Sequence, residues 1–157
     1  MKVGIILYSQ TGNTRSVANR LETALANAGH DVMLMEVMVS GNAPHLEIVE
    51  KPDPSPFDLV IFGGPVQGFN ISLPMKQYLT TMPNITGKRF ICFATQQLPF
   101  KWMGGERSIR SMREIVEEKG GHFVGHGVIN WSRTDREARI ERMLAHMMRM
   151  LEIDLMD

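Results

Sequence analysis

Apolar residues gather in five short runs along the chain, and helical spacing fills most of the intervals. Lys2–Tyr8, Asp31–Val37, Phe57–Gly63, Lys88–Ala94 and Gly121–Ile129 are rich in β-branched and aromatic residues, as strands buried on both faces require. Between them, Val17, Leu21 and Leu25 recur at helical spacing, with Gly29 placed to stop the helix. Met75, Leu79 and Met82 mark a shorter helix ended by Pro83, and Ile109, Met112, Ile115 and Val116 mark a third, ended by Gly120 and Gly121. Ile140, Met143, Leu144, Met147, Met148 and Leu151 give the last helix a broad apolar stripe. Residues 38–56 carry Gly41 and four prolines, which leave room for at most a short helix around His45–Lys51.

Strands alternating with helices predict an α/β protein: a five-stranded parallel sheet, doubly wound, with helices on both faces. The 157 residues suit one domain spanning 1–157. Ligands of such folds bind beyond the carboxyl ends of the strands, so the segments that follow the strands are the candidate site.

The first of these segments is Ser9-Gln10-Thr11-Gly12-Asn13-Thr14. A helix N-terminus presents unpaired N–H groups and the positive end of a dipole, and Gly12 admits a ligand close to the backbone. One hydroxyl would cap the helix; three hydroxyls and a glycine exceed that need. No lysine or arginine lies inside the loop, so the fitting ligand is a monophosphate held by neutral donors. The patterns for a nucleoside triphosphate and for a dinucleotide are both absent.

Ser9-x-Thr11-Gly12-x-Thr14 directly after the first strand resembles the phosphate loop of the flavodoxins, and the order of elements resembles that of the short-chain type over nearly the whole sequence. The resemblance implies strand order 2-1-3-4-5, noncovalent FMN, and the Ser9, Thr11 and Thr14 hydroxyls on its phosphate. After the third run, Gly63 and Gly64 permit an abrupt turn that Pro65 stiffens. The resemblance implies that Pro65, Val66, Gln67, Gly68, Phe69 and Asn70 flank the flavin ring, with the Gly68 peptide as candidate partner of the reduced N5–H. Thr95, Gln96 and Gln97 would meet the pyrimidine edge or the ribityl chain. Trp102, and after it Phe100, would cover the outer ring face, unless the two aromatics form a local cluster under their loop. The expected function is electron transfer between a reductase and an acceptor; an NAD(P)H-dependent quinone reductase is the alternative.

Acidic and basic residues balance at 17 each, which gives no steering toward nucleic acid or an anionic membrane. The expected partners are redox proteins or a small electron acceptor, for a monomer or homodimer. Cys92 is the only cysteine, so an intrachain disulfide and multi-cysteine metal sites are excluded. With no leader-like or membrane-spanning run, a cytoplasmic location is expected. Lys76, Lys101 and Arg107 against Glu106 in the later loops predict a milder penalty on reduced, anionic flavin than acid-rich flavodoxins impose. The arginines at 133, 136, 139 and 142 read as a solvated helix face, and His122 and His126 share a strand parity.

Overall fold

The computed structural model describes residues 1–42, 44–97 and 103–156. Five strands form the parallel sheet: β1 (Lys2–Leu7), β2 (Asp31–Glu36), β5 (Leu59–Gln67), β7 (Arg89–Gln96) and β8 (His122–Asn130). Their spatial order is β2-β1-β5-β7-β8, the 2-1-3-4-5 arrangement expected. Helices α1 (Asn13–Asn27) and α4 (Arg136–Met156) cover one face, and α2 (Leu73–Thr81) and α3 (Gly105–Glu118) the other. Val17, Leu21 and Leu25 pack with Ile140, Met143 and Met147 over Val3, Ile5 and Ile61. On the opposite face Met75, Tyr78, Leu79, Met112 and Val116 close over Ile6, Val60, Phe62 and Phe90. Among the described residues no helix is long and apolar enough to cross a membrane.

The segment after β2 differs from expectation. It folds as an antiparallel hairpin, β3 (Met38–Ser40) with β4 (Glu47–Glu50), where a short helix had been the most the sequence allowed. Val39 and Ile48 pair across it and pack on the core, a period-two use of apolar positions that the surrounding prolines mask. Gly63, Gly64 and Pro65 also differ: they continue β5 and pair with Phe93, Ala94 and Thr95 of β7, rather than forming an abrupt turn. Close packing explains Gly63, where a Cβ would lie 2.1 Å from Cζ of Phe93.

In β8 the register slips between Phe123 and Gly125, leaving Val124 as an extra residue. Such a bulge breaks side-chain alternation. Phe123 and His126 therefore stack on the same side, 6.2 Å apart, and alternation from Phe123 turns His122 to the other. Downstream of the bulge, the glycines of β8 take methionines against their bare backbone. A Cβ on Gly125 would meet Sδ of Met150 at 2.2 Å, and one on Gly127 would meet Sδ of Met143 at 2.4 Å.

Cys92 lies fully buried in β7. Burial pushes its thiol far above the ordinary value of 9.0. A raised folded-state pKa leaves stability intact below the unfolded thiol's pKa and erodes it as pH climbs beyond. Urea midpoints should fall above pH 9.0, and less steeply in Cys92→Ala. A thiol reagent should label Cys92 only as the protein unfolds.

Candidate functional site

The loop after β1 converges on one point. The N–H groups of Gly12 and Arg15 both donate to Oγ of Ser9, at 3.2 and 3.3 Å. Amides aimed at a single oxygen make an anion-seeking concavity. Gly12 is the N-cap of α1, in left-handed conformation (φ 94°), so the cap residue itself supplies no side-chain acceptor, and no acidic residue occupies the first turn. No heavy atom lies within 4 Å of where a Gly12 Cβ would stand. Arg15 turns away from the loop, pairing with Glu36 and donating to Asn19. The donors that remain are neutral, as the sequence implied.

Thr14 is placed differently from Ser9 and Thr11. It is buried, and its hydroxyl shares a 2.8 Å hydrogen bond with that of Thr95 at the end of β7. That bond uses one of the two hydroxyl hydrogens and ties the β1–α1 loop to the neighbouring strand. Across the loop, Gln67 donates from Nε2 to Oε1 of Gln10.

Two cavities of about 130 Å³ each adjoin here. The first is lined by Gln10, Thr11, Asn13, Pro65 and Thr95 among others. The second is lined by Gly68, Phe69 and Met103, and Val66, Gln96 and Gln97 line both. The structure thus brings together the three loops that the sequence singled out. Trp102 and Phe100 lie outside the described residues, as does Lys101.

Gly68 and Phe69 form a tight turn. They join β5 to the two-residue strand β6 (Asn70–Ile71), with Gln67 opposite Asn70. Both central residues have positive φ, 60° and 63°, the requirement of a type I′ turn. For a bulky residue such as Phe69 this is a strained conformation. Two groups hold it there. Oδ1 of Asn70 accepts hydrogen bonds from the Ile71 N–H at 2.7 Å and from Oγ of Ser111 at 2.9 Å. Gly104, at φ 124°, lies so close that a Cβ there would stand 2.8 Å from Cα of Phe69.

Sequence reasoning missed Met103 and Asn130. Asn130, buried at the end of β8, accepts a 2.5 Å hydrogen bond from Nε2 of Gln96 and so fixes a side chain of both cavities. Its only signal was its place after the fifth apolar run.

A doubly wound parallel sheet with a neutral anion-seeking loop and a cavity spanning three strand ends defines a nucleotide-cofactor protein. The flavodoxin family model matches residues 5–142. A flavodoxin from Megasphaera elsdenii is 25% identical over 131 residues, 82% of this chain and 85% of that one. The fold superposes on oxidised flavodoxin 1 from Bacillus cereus with a TM-score of 0.72, at 16% identity, covering 97% of this chain and 98% of that one. A flavoprotein from Lactobacillus acidophilus, solved in complex with FMN, superposes with a TM-score of 0.64 at 18% identity, covering 90% and 97%. The chain belongs to the flavodoxin family, the FMN-binding electron carriers.

Proposed function

We propose that the cradle at the ends of β1, β5 and β7 is the FMN site through which this flavodoxin exchanges electrons with redox partner proteins. The carrying observation is that the N-terminus of α1, through Asn13, borders the first of two adjoining cavities, which share Val66, Gln96 and Gln97. When bound, FMN supplies the ring that accepts and returns electrons. The chain's task is to hold and shield it. The amides and hydroxyls of Ser9–Thr14 bind the phosphate, a dianion stabilised by the α1 dipole without a basic side chain. Thr14 is fixed by Thr95, so its role is to anchor the loop as well as to donate. Thr95, Gln96 and Gln97 offer polar groups to the pyrimidine edge. Val66–Asn70 would lie along the ring, and the strained Gly68–Phe69 peptide would accept a hydrogen bond from the N–H edge of reduced flavin.

The test is titration of FMN into the apoprotein, followed by fluorescence quenching and then stepwise reduction with dithionite. Quenching at stoichiometric protein supports the site; a colourless protein that leaves free FMN fluorescent overturns it. Rapid bleaching on mixing with NADPH would instead indicate the reductase alternative.

No carboxylate lines either cavity among the described residues, which supports the milder penalty on reduced flavin. Reduced flavin is an anion, so a carboxylate added beside it opposes the last electron. Gln67→Glu should therefore move the more negative couple further negative in a potentiometric titration, while Gln67→Met should leave it nearly in place.

A further inference from the structure

Strand β7 sends its side chains alternately to the two faces of the sheet. Ile91 and Phe93 pack in the core under α1 and α4, and Cys92 and Ala94 in the core under α2 and α3. The alternation continues beyond the core. Thr95 meets Thr14 of α1, whereas Gln96 lies against α3, where a Cβ on Gly105 would stand 2.6 Å from Oε1 of Gln96. The two cavities divide the same way. Thr95 lines the first, with Gln10, Thr11 and Asn13 of the loop after β1, and takes no part in the second, which Gly68, Phe69 and Met103 line. Its side chain therefore belongs to the phosphate end of the cradle, not to the ring end.

The hydrogens of the threonine pair have one arrangement that suits an anion. The two hydroxyls carry one hydrogen each, and their 2.8 Å bond uses one of them. Thr14 is 1% exposed and Thr95 3%, and neither hydroxyl has a second partner among the described residues. A hydrogen bond to a charged oxygen is about twice as strong as one between neutral groups. A phosphate at the α1 N-terminus therefore claims the hydrogen of Thr14, the member of the pair in the first turn of α1. Thr14 must then accept from its neighbour, and the hydrogen it accepts is that of Thr95. In a buried chain of this kind each bond polarises the next.

We propose that the Thr95 hydroxyl is a positioning group for the cofactor's phosphate, donating to Thr14 so that Thr14 donates to the phosphate. Thr95 acts through Thr14, across 81 positions of sequence. This differs from the place at the pyrimidine edge or ribityl chain that the resemblance implied, and it leaves only the peptide groups of Thr95 for the ring. The proposal rests on the FMN reading of the cradle.

The test compares FMN-loaded Thr95→Val, a near-isostere without the hydroxyl, with the unaltered protein. FMN affinity, read by fluorescence quenching, should fall about tenfold. The phosphorus-31 resonance of bound FMN should move, while both reduction potentials and the visible bands stay in place. Thr95→Ala, which also lacks the hydroxyl, should behave alike, and Thr95→Ser, which keeps it, should restore affinity and resonance. A double-mutant cycle tests the route: in a Thr14→Val background, Thr95→Val should cost no further affinity. Additive losses overturn the proposal. So do shifted potentials with an unmoved phosphorus resonance, which would return the Thr95 side chain to the ring. Yellow protein in which Thr95→Val changes neither affinity nor resonance defeats the relay and leaves the FMN site standing; unaltered protein that stays colourless with FMN defeats the site itself.

Discussion

Gly104→Ala should be among the most disruptive single-methyl additions in the protein. The new Cβ would stand 2.5 Å from Cγ1 of Val66 and 2.8 Å from Cα of Phe69, on a backbone held at φ 124°. Positive φ costs a non-glycine residue about 1–3 kcal/mol, and overpacking of a fixed contact costs about 1–3 kcal/mol. The backbone atoms of Phe69 cannot swing aside as a side-chain tip could. They belong to a strained turn already held by Asn70 and Ser111. The expected loss in urea-measured stability of the apoprotein is therefore about 2–6 kcal/mol. FMN affinity should fall further than stability alone dictates, because relief of the clash moves Met103 or the Gly68–Phe69 turn, and both line the second cavity. Full apoprotein stability in Gly104→Ala would show that this contact is not fixed.

Asn13→Asp separates cofactor binding from folding, because the two should move in opposite directions. The substitution preserves shape and adds one negative charge at the first residue of α1, whose first turn holds no acid. A carboxylate at a helix N-terminus stabilises by about 0.3–1 kcal/mol, so the apoprotein should melt slightly higher. The same charge would repel the phosphate dianion of FMN in the concavity proposed to hold it. At an effective dielectric of about 20, a unit pair a few ångströms apart interacts by several kcal/mol, so a loss of FMN affinity of about a hundredfold or more is expected. Asn13→Ser should be near neutral for both. Matched falls in melting temperature and FMN affinity would mean that the loop's role is structural.

How far the sequence could be read depended on whether the informative contacts were local. The loop after β1 was legible because strand, glycine, hydroxyls and helix start are consecutive, and each type has a local reason. Alternation of elements and the handedness of crossovers pointed to a doubly wound sheet, whereas its strand order came only from the resemblance to flavodoxins. Gly63-Gly64-Pro65 was misread because glycine and proline mark turns on average. Here Gly63 answers to Phe93, thirty positions later, whose ring lies against it. The β3–β4 hairpin was hidden by prolines whose conformation suits extended chain as well as a loop. The Val124 bulge carries no local signal, and it alone undid the shared parity of His122 and His126. Thr14 was singled out from its place in the loop, but its bond to Thr95 spans 81 positions. No motif spacing could supply it.

The glycines of β8 carry a consequence for the variation of this sequence. At Gly125 and Gly127 the strand has given up its side chains, and Met150 and Met143 fill that volume from the helix. Each pair shares a fixed allowance of space, and neither member can change alone without a clash or a void. Natural relatives should therefore covary at 125 with 150 and at 127 with 143, an alanine or larger residue on the strand coinciding with a shorter one on the helix. Because methionine is flexible, each exchange can pass through a tolerated intermediate. This corner of the fold is thus free to drift in composition while its total volume stays the same.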